Sequence, residues 1–210
     1  MCAEVGRSGR ALGPKGQGTR QRLLEVLKGQ LEKGGARSLR VTRIAREAGA
    51  SPTTFYQYFD GIDAALRELA LSTSEAEAAL AALDAPWRGG RAHELARTLV
   101  SEYVGHWERH GAVLAVRNAA AEAGDRTLAA AREQSLSSLL AGLEARLQDR
   151  GVRPDGLDPD ALAAVLAGML ESLASNRQLW TERGLGRGAL VEACAHVLAQ
   201  ALAPGEPPGS

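Results

Sequence analysis

From Thr19 to Ala203, leucine and alanine return at intervals of three and four, and glycine and proline punctuate the runs. That spacing lines apolar side chains along one face of an α-helix. Composition points the same way. Of 210 residues, 39 are alanine and 30 leucine, whereas valine, isoleucine and threonine together number 21. Strong helix formers therefore outweigh β-branched residues, and the chain is expected to be all-α, with about nine helices. Its length suits one large domain or two small ones, either able to bury a core.

Several classes of protein drop out. No apolar run approaches the roughly 20 residues that span a bilayer, so no membrane partner is expected. The N-terminal stretch has charges but no apolar core, which argues against a secretory signal. Two cysteines, Cys2 and Cys194, are too few for a disulfide framework or a cysteine zinc site. A reducing cytoplasm is the simplest compartment. The net charge is zero, but it is unevenly spread: the first 46 residues hold 11 Lys/Arg against 3 Asp/Glu. A basic beginning on an acidic body fits either a polyanion partner for that part alone or a solvated basic tail.

Glycine, proline and capping residues divide the chain into helices over Thr19–Lys33, Val41–Ala48 and Pro52–Tyr58. A fourth runs from an Asp60 cap towards Leu83. Five more cover Ala92–Arg109, Ala112–Ala123, Arg126–Arg150, Pro159–Arg183 and Arg187–Ala203, with Gly111 and Gly124 among the breaks. Residues 1–18 and 204–210 read as flexible tails.

The stretch VTRIAREAGASPTTFYQYF, residues 41–59, is the most informative. Two short helices joined by a turn at Gly49 have the spacing of a helix-turn-helix, whose second helix enters the DNA major groove. Four of the eight aromatic residues fall within five positions. Phe55 and Phe59 share a face and anchor the core. Two small helices cannot bury four rings, so Tyr56 and Tyr58 project elsewhere, with hydroxyls able to reach phosphate. Ser51 caps the second helix and Pro52 opens it. Thr53, Thr54 and Gln57 occupy its exposed start and flank, where glutamine can bridge an adenine edge and threonine can meet a thymine methyl or a phosphate. Arg37, Arg40, Arg43 and Arg46 recur every three residues. They form a solvated face or a phosphate clamp, with Arg40 and Arg43 the better clamp candidates.

These residues give the chain its resemblance to the TetR (tetracycline-repressor-like) family of bacterial one-component regulators. The matching run is the amphipathic first helix, the helix-turn-helix through Ser51, and PTTFYQYFDGIDAALREL after it, covering about Thr19 to Leu69. The resemblance implies a three-helix DNA-binding domain at 19–67 and a larger helical effector-binding and dimerisation domain at 68–203. It implies a homodimer on a palindromic operator in double-stranded DNA, usually a repressor released by a small effector. Carried over by position, the recognition contacts fall on Thr53, Thr54, Tyr56, Gln57 and Tyr58, and those of the preceding helix on Thr42 and Arg43. One departure stands out. The serine–lysine pair that often starts the fourth helix is Gly61-Ile62 here, so its phosphate contact is missing. A nearby arginine, or Arg7, Arg10 or Lys15 in the tail, is the available substitute.

The remainder carries no nucleotide fingerprint. Gly184–Gly188 lacks the preceding strand and the lysine of a phosphate loop, and no cofactor is expected. His106 and His110, four apart with Glu102 a turn earlier, have metal-ligand spacing, but solvent-facing helix histidines are commoner and no metal is expected. Leu162, Val165, Leu166, Met169, Leu170 and Leu173 form a broad stripe, which Val191, Cys194 and Leu198 continue on the last helix. In the light of the resemblance this stripe is a two-fold dimer interface; otherwise it is internal core. Trp87, Tyr103, Trp107, Val113, Arg117, Asn118 and Trp180 are candidate linings of an effector pocket, or core. Two alternatives stay open: an architectural DNA-binding protein without a ligand, and an all-α metal enzyme built on His106, His110 and Glu102.

Overall fold

The computed structural model describes residues 13–73, 76–87, 91–149 and 156–203. They form ten α-helices and one 3₁₀ turn, with no strand among them. The helices are α1 (Pro14–Gly34), α2 (Val41–Glu47), α3 (Pro52–Tyr58), α4 (Ile62–Leu71) and α5 (Glu77–Asp84). They continue with α6 (Ala92–Glu122), α7 (Arg126–Asp149), α8 (Pro159–Ser175), α9 (Arg177–Glu182) and α10 (Arg187–Leu202). The all-α expectation holds. The count of ten against nine comes from three local differences.

The helix expected from Asp60 to Leu83 is two, α4 and α5. Ser72 closes α4, its hydroxyl and that of Thr73 both donating to the Leu69 carbonyl. Hydroxyls that bond to nearby carbonyls compete with helix propagation. At the start of α4 the capping position is Gly61, not Asp60, and no side chain caps it. The break expected at Gly111 does not occur, and α6 runs through it. A lone helical glycine costs only about 1 kcal/mol relative to alanine, which packing can offset. The last long helix but one ends at Asn176, whose side-chain amide donates to the Ser172 carbonyl, and α9 follows as a separate short helix. At the other end, α1 starts at Pro14 rather than Thr19. Proline lacks the N–H that a first-turn residue does not need, so Pro14 sits at the first helical position without loss.

The chain separates into two compact units. The first comprises 1–73 and 112–131, the second 74–111 and 132–210, as far as these are described. The core of the first gathers Leu23, Leu27 and Leu31 of α1, Leu39, Ile44 of α2, and Phe55 and Phe59, with Leu66 and Leu69 of α4. Val113 and Leu128, far along the chain, complete it. In the second, Leu99, Leu143, Leu170 and Leu198 are fully buried or nearly so. Leu83 packs against Gly142, where a Cβ would come within 2.8 Å of a leucine methyl. No helix among the described residues is long and apolar enough to cross a membrane.

Candidate nucleic-acid interface

The first unit is built around two rings. Phe55 and Phe59 lie 5.2 Å apart, and both are buried. They fix the rotation of α3 about its axis, since a helix with one turn's pair of large rings committed to the core has a single outward face. Tyr56, 45% exposed, and Gln57 and Thr53 occupy that face. Tyr56 leaves the core edge-on to Phe55, with ring centres 5.8 Å apart. Tyr58 does not project as Tyr56 does: it is half-buried and packs against the core, 6.4 Å from Phe59.

The start of α3 is set by Ser51. Its hydroxyl accepts from the Thr54 amide at 3.0 Å and lies 2.9 Å from the Thr54 hydroxyl. Ser51 and Thr54 are thus engaged in the N-cap, while Pro52 occupies the first helical position, exposed. The turn before it needs a left-handed residue, and Gly49 takes φ 69° there. This lets the Ala50 amide reach back to the Ala45 carbonyl at 2.8 Å, closing α2 in a Schellman-like turn.

Thr42 and Arg43 stand exposed on α2, and Arg37, Arg40 and Arg46 are exposed as well. Their states differ. One Arg40 nitrogen donates to the Arg37 and Leu39 carbonyls at 2.9 and 2.7 Å, folding the side chain over the loop before α2. Arg43 pairs with Glu47 one turn on, at 3.0 Å. An exposed pair of this kind is worth well under 1 kcal/mol, so a stronger anion can take the guanidinium.

Arg20 escaped attention in the sequence. Its guanidinium lies 5.8 Å from the Phe59 ring centre and pairs with Glu68 at 2.5 Å, joining α1 to α4 beneath α3. A lone arginine on an amphipathic helix gives no signal of such a role. Arg67 of α4 pairs with Asp125, which also accepts from the Thr127 and Leu128 amides at 3.0 Å and so caps α7. Of the tail cations, Lys15 belongs to α1, exposed, and Arg7 and Arg10 lie outside the described residues.

The bacterial regulatory protein, tetR family, model matches residues 23–69, and the tetracyclin repressor-like C-terminal domain model matches 78–203. The chain belongs to the TetR family. It has the fold of that family's DNA-binding regulators, the helix-turn-helix of α2 and α3 within the first match and the helical C-terminal part within the second. No curated protein matches the chain. Among solved structures it is similar to a protein of unknown function from Rhodococcus sp. RHA1, at 22% identity and TM-score 0.69, over 88% of this chain and 95% of that one. A transcriptional regulator from the same organism gives 21% and 0.67 over 90% and 99%. A TetR-family regulator from Mesorhizobium loti gives 23% and 0.60 over 90% and 97%.

In this TetR-family chain the residues singled out as pocket linings fall in both units. Trp87, Tyr103, Trp107 and Trp180 belong to the second, and Val113, Arg117 and Asn118 to the first. Trp87 is buried and its indole donates to the Ala82 carbonyl at 3.0 Å; Tyr103 donates to Glu171 at 2.6 Å. Trp107 is buried, Trp180 half-buried, and Val113 sits in the first unit's core. Arg117 is buried, with Nε donating to Asn118 at 3.3 Å. A cavity of about 320 Å³ does lie in the second unit, but none of the seven lines it. It is bounded by Val104 and Glu108 of α6, Leu173 of α8, Arg177 of α9, and Arg187 and Val191 of α10.

The stripe proposed for dimer contact divides as well. Leu166, Leu170, Val191, Cys194 and Leu198 are buried within the protomer, while Leu162, Met169 and Leu173 are half-buried. Val165 is 66% exposed, and Val197, on α10, is 47% exposed. Burial pushes the Cys194 thiol up to about 11. His106, expected at a solvent-facing position, is buried, with its ring 4.9 Å from that of His110. Among the described residues no three His, Cys, Asp or Glu side chains are grouped to hold a metal.

Proposed function

We propose that the protein is a cytoplasmic, dimeric regulator of transcription, a repressor that binds a palindromic operator and leaves it when a small effector binds. The division of labour follows 19–67 for DNA and 68–203 for effector and dimer. One observation carries the reading: buried Phe55 and Phe59 turn Thr53, Tyr56 and Gln57 outward on a helix of a helix-turn-helix. Gln57 reads a base edge, Thr42, Thr53 and Tyr56 meet backbone or base, and Arg40 and Arg43 hold phosphates flanking the groove. Ser51, Pro52 and Thr54 set the helix start, whose free amides favour a phosphate, and Tyr58 supports it from the core side. With Gly61-Ile62 at the start of α4, the arginines of α2 supply the charge missing there.

Two copies must present their α3 helices to successive major grooves, about 34–36 Å apart. Val165 and Val197, with half-buried Leu162, Met169 and Leu173, offer apolar surface for a partner copy. An effector that prefers the dimer with wider-spaced reading helices draws the population away from DNA. A full swing needs on the order of 5 kcal/mol of preference.

Selection of bound duplexes from a random pool tests this reading, and a palindrome should emerge. Against it, Gln57→Ala should cost roughly 1–3 kcal/mol and relax the preference at one position per half-site. Arg43→Ala should weaken every sequence alike and lower the salt slope by about one. A protein that stays monomeric and selects no sequence removes the proposal.

A further inference from the structure

The cavity of the second unit has an uneven charge. Arg187 is already answered: its Nε donates to Glu108 at 2.9 Å and an Nη to the Ser101 carbonyl at 3.1 Å. Arg177 has no ion-pair partner among the described residues. Two guanidiniums and one carboxylate leave the lining with one positive charge in excess. The body around it is acidic, so this excess is local.

Arg177 also lies against α6. Its guanidinium lies over the backbone of Gly111, where a Cβ would come within 2.7 and 2.8 Å of its two terminal nitrogens. A side chain at 111 would oblige the guanidinium to shift from that position. Val104, Leu173, Leu190 and Val191 give the cavity apolar walls, and Gln178 and Thr181 add two neutral polar side chains. A volume of about 320 Å³ is at the small end of ligand sites.

We propose that this cavity binds a small amphiphilic monoanion, a carboxylate on a short apolar body, with the carboxylate received by Arg177. A guanidinium takes a carboxylate by two parallel hydrogen bonds, and the apolar walls take the remainder of the ligand. A dianion would exceed the available charge, and a cation would face Arg177 directly. Assigning the site to the effector rests on the regulator reading above, whereas its ligand chemistry stands on the cavity alone.

Calorimetric titration of the full-length protein with octanoate, 1-octanol and octylammonium tests the proposal. Octanoate should bind at least about tenfold more tightly than 1-octanol, the scale of a charge-assisted hydrogen bond, and octylammonium should not bind. Arg177→Met should erase the advantage of octanoate and leave 1-octanol unchanged, while Arg177→Lys keeps part of it. Gly111→Ala, by displacing the guanidinium, should weaken octanoate more than 1-octanol. Equal binding of octanoate and 1-octanol by the unaltered protein overturns the proposal without any variant. So does an absence of octanoate binding, or an octanoate advantage that survives Arg177→Met. The selected palindrome separates the two readings. Octanoate bound through Arg177 with DNA affinity unchanged keeps the site and removes the effector role. DNA binding without octanoate binding removes the site and leaves the regulator.

Discussion

The two units use apolar residues differently. In the first, two rings decide the orientation of a seven-residue helix: with Phe55 and Phe59 inside, Tyr56 and Gln57 have one direction left. In the second, apolar residues surround the helices. Along α8, Leu166 and Leu170 are buried and Val165, one position earlier than Leu166, is 66% exposed. Along α10, Cys194 and Leu198 are buried and Val197 between them is 47% exposed. Large, sparse side chains fix a helix's rotation from sequence. Small and evenly apolar ones leave several rotations of similar energy, and packing chooses among them.

The sharpest way to break this comparison is to remove one ring. Phe55→Ala should cost about 3–5 kcal/mol, because the ring is fully buried and nothing can collapse into the space without moving α3. Urea unfolding measures the loss, and DNA affinity should fall with it. Val165→Ala, on the exposed side of α8, should change the protomer's stability by no more than about 0.5 kcal/mol. A Phe55→Ala penalty below about 1 kcal/mol would mean that the rings do not organise the first unit.

A second test asks how tightly the inner face of α10 is closed. Cys194 keeps its proton because burial disfavours the thiolate, raising its value from 9.0 to about 11. A raised folded-state value contributes stability that is complete below pH 9 and is lost as pH rises through 11. About two units corresponds to about 2–3 kcal/mol. Unfolding measured from pH 8 to 11 should show this step, and Cys194→Ala should remove it. In a Cys2→Ser background the native thiol should resist a thiol reagent at pH 8 until the chain unfolds. Prompt labelling of the folded protein would show an open face.

Much of the first unit was legible because its signals are local. Glycine, serine and proline placed α2 and α3 within a residue of where they lie, since Gly49, Ser51 and Pro52 each act on their own backbone. The misread elements depend on distant partners. Gly111 looks like a helix end until Arg177, 66 residues later in the chain, is seen resting on it. Val113 and Leu128 follow helical spacing like any other core residue, and no periodicity assigns them to the first unit. Likewise Arg177 and Arg187 are ordinary surface arginines by pattern. What distinguishes them is that Arg187 has Glu108 and Arg177 has no acid among the described residues.

Asp125 gives the finest test of how the first unit uses this distant segment. One of its oxygens accepts from the Thr127 and Leu128 amides, and the other meets Arg67. Both bonds involve the same carboxylate, but they differ in kind. The cap satisfies backbone amides at a helix start, which is worth about 0.5–2 kcal/mol. The ion pair is open to water on the arginine side, where Arg67 is 44% exposed, and such pairs are typically worth 0–1 kcal/mol. Asp125→Ala should therefore destabilise more than Arg67→Ala, and Asp125→Asn should fall between them, since asparagine caps well but cannot pair with the guanidinium. Denaturant unfolding of the three variants orders them. Added salt should shrink the ion-pair part that all three lose and leave the capping loss, present in Asp125→Ala, largely in place. If Arg67→Ala proved as costly as Asp125→Ala, the charge and not the cap would fix the first turn of α7 against α4. The link between distant parts of the chain would then be electrostatic, unlike the ring-centred packing around α3.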